Sequence, residues 1–466
     1  MQLLQLILFT LGWLLYQAKA DYKIFCYWDA ESVDRHNISH FNTWELSVEF
    51  CTHIVYGGAL AIDPKGTGTV KLLDERNIND DTIGRFARMA RNISKKLISL
   101  GGWKMDTHMF IKMLKDMRMR DRFYTSLLSF LTKWKLAGVQ IDVEISTQDR
   151  KAFLIFLEEL QVVLHGKKLL LLVTVPARLD AYNREAYDIP KIARFADFVS
   201  LVTHDYSDPF GKQLRYTAPL YANDSSGVAQ SLAHWVQQSK RPGKLILGLP
   251  LFANSYTMAN AAAPRVGAAS RGAGQQHKFS RRPGFMIYGE LCSMLRTWHT
   301  EYDQQAEAAY AYKGNLWVSY ENERSLRAKL LFLKQQQPPL AGVMIWSADA
   351  DDFRGNCGKP NGLLRTIIAG IGDARLLTTP KPTTEGIGLC PHDGWFRHPW
   401  DCRLYHECRD AQRTDFECLK GYYFHVEQAE CLPVDKVPCD DDFVNWRPGM
   451  RGYSFEDLPL NLRVVQ

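Results

Sequence analysis

Eight short apolar runs recur along much of this chain, most of them followed by a segment of helical character. They are Tyr22–Trp28, Thr52–Leu60, Lys96–Gly101, Gly138–Glu144, Leu169–Val175, Phe198–His204, Lys244–Pro250 and Ala341–Ser347. Near-continuous apolar character is what a parallel strand needs when both of its faces are covered. The stretches between them include Asp121–Trp134 and Asp149–Leu164, which are amphipathic at helical spacing. Eight strand–helix units in series predict an α/β fold, a TIM (β/α)8 barrel over residues 21–374. The interval from Pro250 to Ala341 is too long for one crossover, so an inserted α+β subdomain is expected at about 256–317.

The ends of the chain have a different texture. Residues 1–20 carry an apolar core too short to span a bilayer comfortably and end in Ala18-Lys19-Ala20, which reads as a secretory signal peptide. No later apolar stretch is long enough to cross a membrane. Residues 375–389 are rich in Pro and Thr without apolar periodicity and read as an extended linker. Cys390, Cys402, Cys408, Cys418, Cys431 and Cys439 then follow at intervals of 12, 6, 10, 13 and 8 residues. So short a segment cannot hold a core without staples, and six cysteines in a secreted context predict a small disulfide-rich β module over 390–439. Cys402…His406 resembles half of a zinc site, but disulfides are far more in keeping with an oxidising compartment. No metal motif is present, and no metal or cofactor is expected. Sequons at Asn37, Asn92 and Asn223 fit a secreted, glycosylated surface. The net charge of +6, from 57 basic and 51 acidic residues, is dispersed, which argues against a nucleic-acid partner. A monomer with no membrane partner is expected, and residues 440–466 carry no readable pattern.

The chemistry concentrates in Leu136–Glu144. As a strand with period-2 alternation, it places Gly138, Gln140, Asp142 and Glu144 on one face and Val139, Ile141 and Val143 on the other. Three polar side chains pointing one way from an apolar strand are costly to bury and call for a wet cavity or a chemical purpose. By strand rise alone Asp142 and Glu144 stand roughly 7 Å apart. Barrel sites gather at the C-terminal ends of the strands, where Tyr27, Trp103, His204, Asp205 and Trp346 also fall. Two carboxylates above a floor of indoles suit a sugar, because aromatic faces pack on pyranose rings and a carboxylic acid can protonate a glycosidic oxygen. The same residues would equally make an ion-pair rim over a tryptophan-containing core.

Ordered motifs point further. Lys23-Ile24-Phe25-Cys26-Tyr27, Cys51-Thr52-His53-Ile54-Val55-Tyr56, Leu100-Gly101-Gly102-Trp103, Tyr187-Asp188-Ile189-Pro190 and Trp346-Ser347-Ala348-Asp349-Ala350-Asp351-Asp352-Phe353-Arg354-Gly355 resemble glycoside hydrolase family 18, the animal-type chitinases, over about residues 21–372. The six-cysteine segment resembles the peritrophin-A type chitin-binding module. The resemblance implies catalysis by Glu144 as proton donor, with Asp142 orienting the substrate's acetamide. It also implies substrate contacts from Tyr27, Trp103, Gln140, His204, Asp205 and Trp346, with chitin or chitooligosaccharides as partner. It further implies disulfides Cys390–Cys408, Cys402–Cys439 and Cys418–Cys431 in the module, and Cys26–Cys51 and Cys292–Cys357 in the barrel. Closeness of the two acids should raise the pKa of the proton-holding glutamate, Glu144, which suits a general acid. The module's aromatics exceed what so small a core can hide, and Trp395 and Trp400 are expected to form an exposed stacking platform.

The departures from the family pattern matter as much. Ala137 and Gln140 stand where the family strand has aspartates, Val143 replaces a tryptophan, His204 a tyrosine, and Phe252 and Asn254 a tyrosine and an arginine. Gln140 can still hydrogen-bond Asp142 but cannot share a titrating proton with it. The expected function is therefore a secreted chitin-binding member of the family. Its endo-hydrolysis by the retaining, substrate-assisted route is weakened, or it is an inactive chitin lectin.

Overall fold

The computed structural model describes residues 22–35, 39–73, 82–89, 94–102, 105–178, 180–204, 206–224, 226–372, 394–397, 402–409, 412–419, 421–425 and 428–437. The segments 1–20, 375–389 and 440–466 lie outside the described residues, as do Asn37, Asn92, Trp103, Asp205, Cys390, Trp400 and Cys439.

Each apolar run overlaps one strand: β1 Lys23–Asp29, β2 His53–Ile62, β3 Lys95–Gly101, β4 Gly138–Asp142, β5 Leu170–Pro176, β6 Phe198–Val202, β7 Leu245–Pro250 and β8 Gly342–Trp346. All eight pair in parallel with their sequence neighbours. Strand β1 also bonds β8, which closes the barrel. The period of two then sorts the side chains. Cys26, Ile54, Ile98, Val139, Ile141, Val173, Leu201, Leu247 and Ile345 point outward and are fully buried in the main core. Phe25, Val55, Leu97, Leu172, Ile246 and Met344 fill the interior as a separate cluster. Because Val139 and Ile141 belong to the outer layer, Gln140 and Asp142 face inward.

The helices form where side-chain caps and apolar spacing coincide. Asp116 caps Met117–Lys133 by accepting from the Met119 amide at 3.0 Å, and that helix buries Phe123, Leu127 and Leu131 along one stripe. Phe123 meets Phe156 of the helix Arg150–His165, ring centroids 5.6 Å apart.

The insertion between β7 and β8 runs from Phe252 to Tyr320, wider than 256–317, because its first strand begins immediately after Pro250. It holds strands Phe252–Met258, Ser270–Ala273, Phe285–Ile287, His299–Asp303, Ala308–Lys313 and Leu316–Tyr320 in an antiparallel sheet, plus the helix Tyr288–Leu295. The Cys292–Cys357 disulfide joins that helix to the loop after β8, and Cys26–Cys51 staples β1 to the start of β2.

The tail consists of a three-stranded antiparallel sheet (Gly394–Arg397, Leu404–Arg409, Gln412–Glu417) and a hairpin (Tyr422–His425, Glu430–Pro433). Cys418–Cys431 links the two. Cys402 and Cys408 are also disulfide-bonded, and their expected partners lie outside the described residues. The tail touches the barrel through Glu417, whose carboxylate meets Arg85 of the helix Thr82–Arg88 at 2.5 Å and Arg403 at 2.6 Å.

Candidate active site

Strand β4 ends at Asp142, and the alternation continues into the loop beyond it. Val143 and Ile145 are buried against the main core, which leaves Glu144 exposed at the open end of the barrel. The approach of β3 depends on Gly101. It pairs with Asp142, adopts φ +112°, and any Cβ there would sit 2.0 Å from the Asp142 carbonyl oxygen. This lets the Gly102 amide donate to that carbonyl at 2.8 Å.

Asp142 is the carboxyl whose pKa rises, to about 7. Burial is the larger cause, and the neighbouring Glu144 charge adds to it. Tyr27 enters from β1, and its phenol is pushed well above its usual pKa by burial, then by Asp142, Asp29 and Asp349. Its ring stacks on Trp346 at 4.1 Å. Trp346 in turn lies 5.4 Å from the imidazole of His204, which meets Phe252 edge-on at 5.6 Å. These four rings make a continuous aromatic wall. Burial lowers the His204 pKa to about 3, so the ring is neutral at ordinary pH. Both His204 ring nitrogens and Trp346 Nε1 are buried without a hydrogen-bond partner, as is the hydroxyl of Ser200. Such unsatisfied polar atoms suit a site that meets a polar ligand.

Gln140 is fully buried, and its amide donates to Thr174 Oγ1 on β5 at 2.6 Å, leaving Oε1 unpartnered. The expected hydrogen bond to Asp142 is therefore replaced by a sideways one. Thr174 is the inward residue of the adjacent strand, and its hydroxyl is the nearer partner. Asn254 likewise turns away, donating to Ser207 Oγ at 2.7 Å.

Sequence comparison decides the family. The family model for glycosyl hydrolases family 18 matches residues 23–351, and that for the chitin binding Peritrophin-A domain matches residues 390–439. The chain belongs to glycosyl hydrolase family 18. A probable chitinase 10 of Drosophila melanogaster is 27% identical over 362 residues, covering 72% of this chain but only 16% of that much longer protein. Chitotriosidase-1 of mouse is 27% identical over 452 residues, covering 88% of this chain and 95% of the relative. Among solved structures, human YKL-39, described as a pseudo-chitinase with retained chitooligosaccharide binding properties, superposes with a TM-score of 0.70. It is 26% identical, covering 75% of this chain and all of that one.

In this family-18 barrel, Tyr27, Gln140, Asp142, Glu144, His204 and Trp346 converge at the C-terminal ends of the strands. Trp103 and Asp205 fall on the same end by sequence but lie outside the described residues. Tyr187 is a site neighbour that the sequence reading did not single out. Its hydroxyl accepts from the Ile145 amide at 3.4 Å, and it feels the charges of Glu144 and Asp142. Its only signal was membership of the Tyr187-Asp188-Ile189-Pro190 motif. Ser99 and Thr174 also escaped notice, because small hydroxyls in apolar strands look like ordinary packing.

Trp395 corrects the expected stacking platform. It is 8% exposed and sits in the peritrophin-A domain's core against Tyr405, Phe416 and Phe424. Among the described residues of that domain, the exposed large apolar side chains are Leu419, Tyr422 and Val434. Trp400 lies outside the described residues. Among the described residues, the one cluster with metal-ligand composition is Cys292, Asp352 and Cys357, and its two sulfurs are already joined as a disulfide.

Proposed function

We propose that this protein is a secreted, chitin-acting member of family 18 that hydrolyses β-1,4-linked N-acetylglucosamine polymers slowly. The observation that carries the proposal is the surviving acid pair: Glu144 open to solvent at the barrel mouth, beside an inward, half-buried Asp142 whose pKa is about 7. In the substrate-assisted route the acetamide oxygen attacks the anomeric carbon as the glycosidic C–O bond breaks. Glu144 gives its proton to the leaving oxygen. Water then opens the oxazolinium ring, returns a proton to Glu144, and leaves the configuration retained. Asp142 holds the acetamide in line for attack. The Tyr27–Trp346 stack offers an aromatic surface for a pyranose ring. The peritrophin-A domain would hold the chain on insoluble polymer, with Leu419, Tyr422 and Val434 as its contact surface. Secretion fits the leader, the disulfides and an exposed Asn223, a glycosylation acceptor.

Turnover of a chitooligosaccharide by wild type and by Glu144→Gln, followed from about pH 4 to 9, tests this reading. Measurable cleavage by wild type that drops by about 10²–10⁴-fold in the variant supports it. Equal inertness of the two sinks it.

A second reading, binding without turnover, is favoured by the Gln140–Thr174 bond and by His204. The first leaves Asp142 without its neighbour on the strand, and the second puts a neutral imidazole where the family has a phenol. Gln140→Asp with His204→Tyr should raise turnover about tenfold or more if those two changes cause the weakness. No gain would show that the weakness lies elsewhere.

A further inference from the structure

Glu144 stands beyond the last hydrogen-bonded residue of β4, where no neighbouring strand fixes the backbone. A proton donor there needs placement to within a fraction of an ångström. What holds it is the next residue. The Ile145 amide donates to Tyr187 Oη at 3.4 Å, and the Ile145 carbonyl accepts from Tyr182 Oη at 3.1 Å. The Ile145 side chain is 1% exposed in the main core. Both polar backbone atoms and the side chain of this one residue are thus tied down.

Both hydroxyls come from a single segment, the helix Ala181–Ala186 and its C-terminal cap Tyr187. That segment is itself anchored. Asp180 caps it by accepting from the Asn183 amide at 2.8 Å. Arg150 reaches across to donate to the Glu185 carbonyl at 3.1 Å and to pair with Asp188 at 3.0 Å. Downstream of Ile145, Ser146 donates to Asp149, which Lys115 also pairs at 2.6 Å.

We propose that Tyr182 and Tyr187 are positioning residues: their hydroxyls clamp the backbone of Ile145 and thereby hold Glu144 over Asp142. The proposal rests on the reading of Glu144 as proton donor. The two tyrosines are not equivalent to ordinary packing residues. Tyr187 is buried, whereas Tyr182 is 53% exposed while its hydroxyl donates to a backbone carbonyl. So exposed a side chain adds little to the core, so loss of that hydroxyl separates placement from folding.

The test uses Tyr182→Phe, Tyr187→Phe and the double variant in the full chain, with Glu144→Gln as reference. Two readouts are taken beside the melting temperature. The first is the titration midpoint of the Asp142 carboxyl by carbon-13 NMR, which needs no turnover. Removing the Glu144 charge should lower it, and loosening the clamp should lower it part of the way. The second is kcat and KM on a chitooligosaccharide, where kcat should fall about tenfold with KM unchanged. Tyr182→Phe should do this without a change in melting temperature, so the proposal stays testable even if Tyr187→Phe unfolds. A shifted midpoint with inert wild type keeps the clamp and rejects hydrolysis. Active wild type, with Tyr182→Phe matching it in both midpoint and kcat, rejects the clamp and keeps hydrolysis.

Discussion

In the barrel, Trp346 lies half-buried over Tyr27 at the open end of the strands; in the tail, Trp395 is 8% exposed and ringed by Tyr405, Phe416 and Phe424. The two indoles occupy modules of very different size. The barrel builds its main core outside the strands, against helices, so its inward residues near the C-terminal ends are released for polar and aromatic work. The tail buries too little surface to do the same. It packs Trp395, one of the two tryptophans in residues 390–439, into its own core and adds disulfides such as Cys418–Cys431. Aromatic richness therefore leaves rings at an open site only where a core already exists without them.

The comparison is broken or sharpened by a graded set of changes. Trp395→Ala should cost the tail about 3–5 kcal/mol, seen as loss of its cooperative melting and of proteolytic resistance within residues 394–437, with the barrel transition unmoved. An unchanged tail would mean that its disulfides alone hold it. Deleting residues 390–439 should weaken retention on insoluble chitin by about 10²-fold through lost avidity while leaving the affinity for short soluble oligomers intact. Equal retention would remove the anchoring role. Trp346→Ala should lower oligomer affinity about tenfold by calorimetry with little loss of barrel stability, since the indole is only half-buried. A large stability loss would place Trp346 with Trp395 as a core residue.

The remaining effects are those of pH. Asp142 titrates near 7 when folded, against an ordinary value of 3.8. The folded state therefore holds more protons than the unfolded one between those values. The Asp142 contribution to stability is greatest below about pH 4 and is lost as pH rises through 7. His204 works in the opposite sense: with a folded pKa of about 3 against 6.5, it costs stability as pH falls from 6.5 towards 3. Asp142→Asn should flatten the decline between about pH 4 and 7 in urea titrations, and a slope that persists would assign it to another group. Turnover should fall above about pH 7, as Asp142 loses its proton.

Much of this was legible in the sequence. The eight strands follow from apolar runs, and the inward face of β4 follows from alternation, because the pleat has a period of two and Val139 and Ile141 needed burial. Ordered motifs were enough for the family, and cysteine spacing for a stapled tail. The limits of the insertion were less clear, since the strand starting at Phe252 continues almost without a break from β7.

What tertiary structure decided was the company each side chain keeps. Gln140 turned to Thr174 because that hydroxyl lies on the neighbouring strand, distant in sequence. Asp142 took the raised pKa because the closed barrel buries it while Glu144 stays at the mouth. Trp395 went inside because so small a module has no other core. Ile145 is held by hydroxyls that lie 37 and 42 residues further along the chain. A local pattern states which way a side chain points, whereas hydrogen bonding, burial and charge depend on neighbours that only closure of the barrel brings within reach.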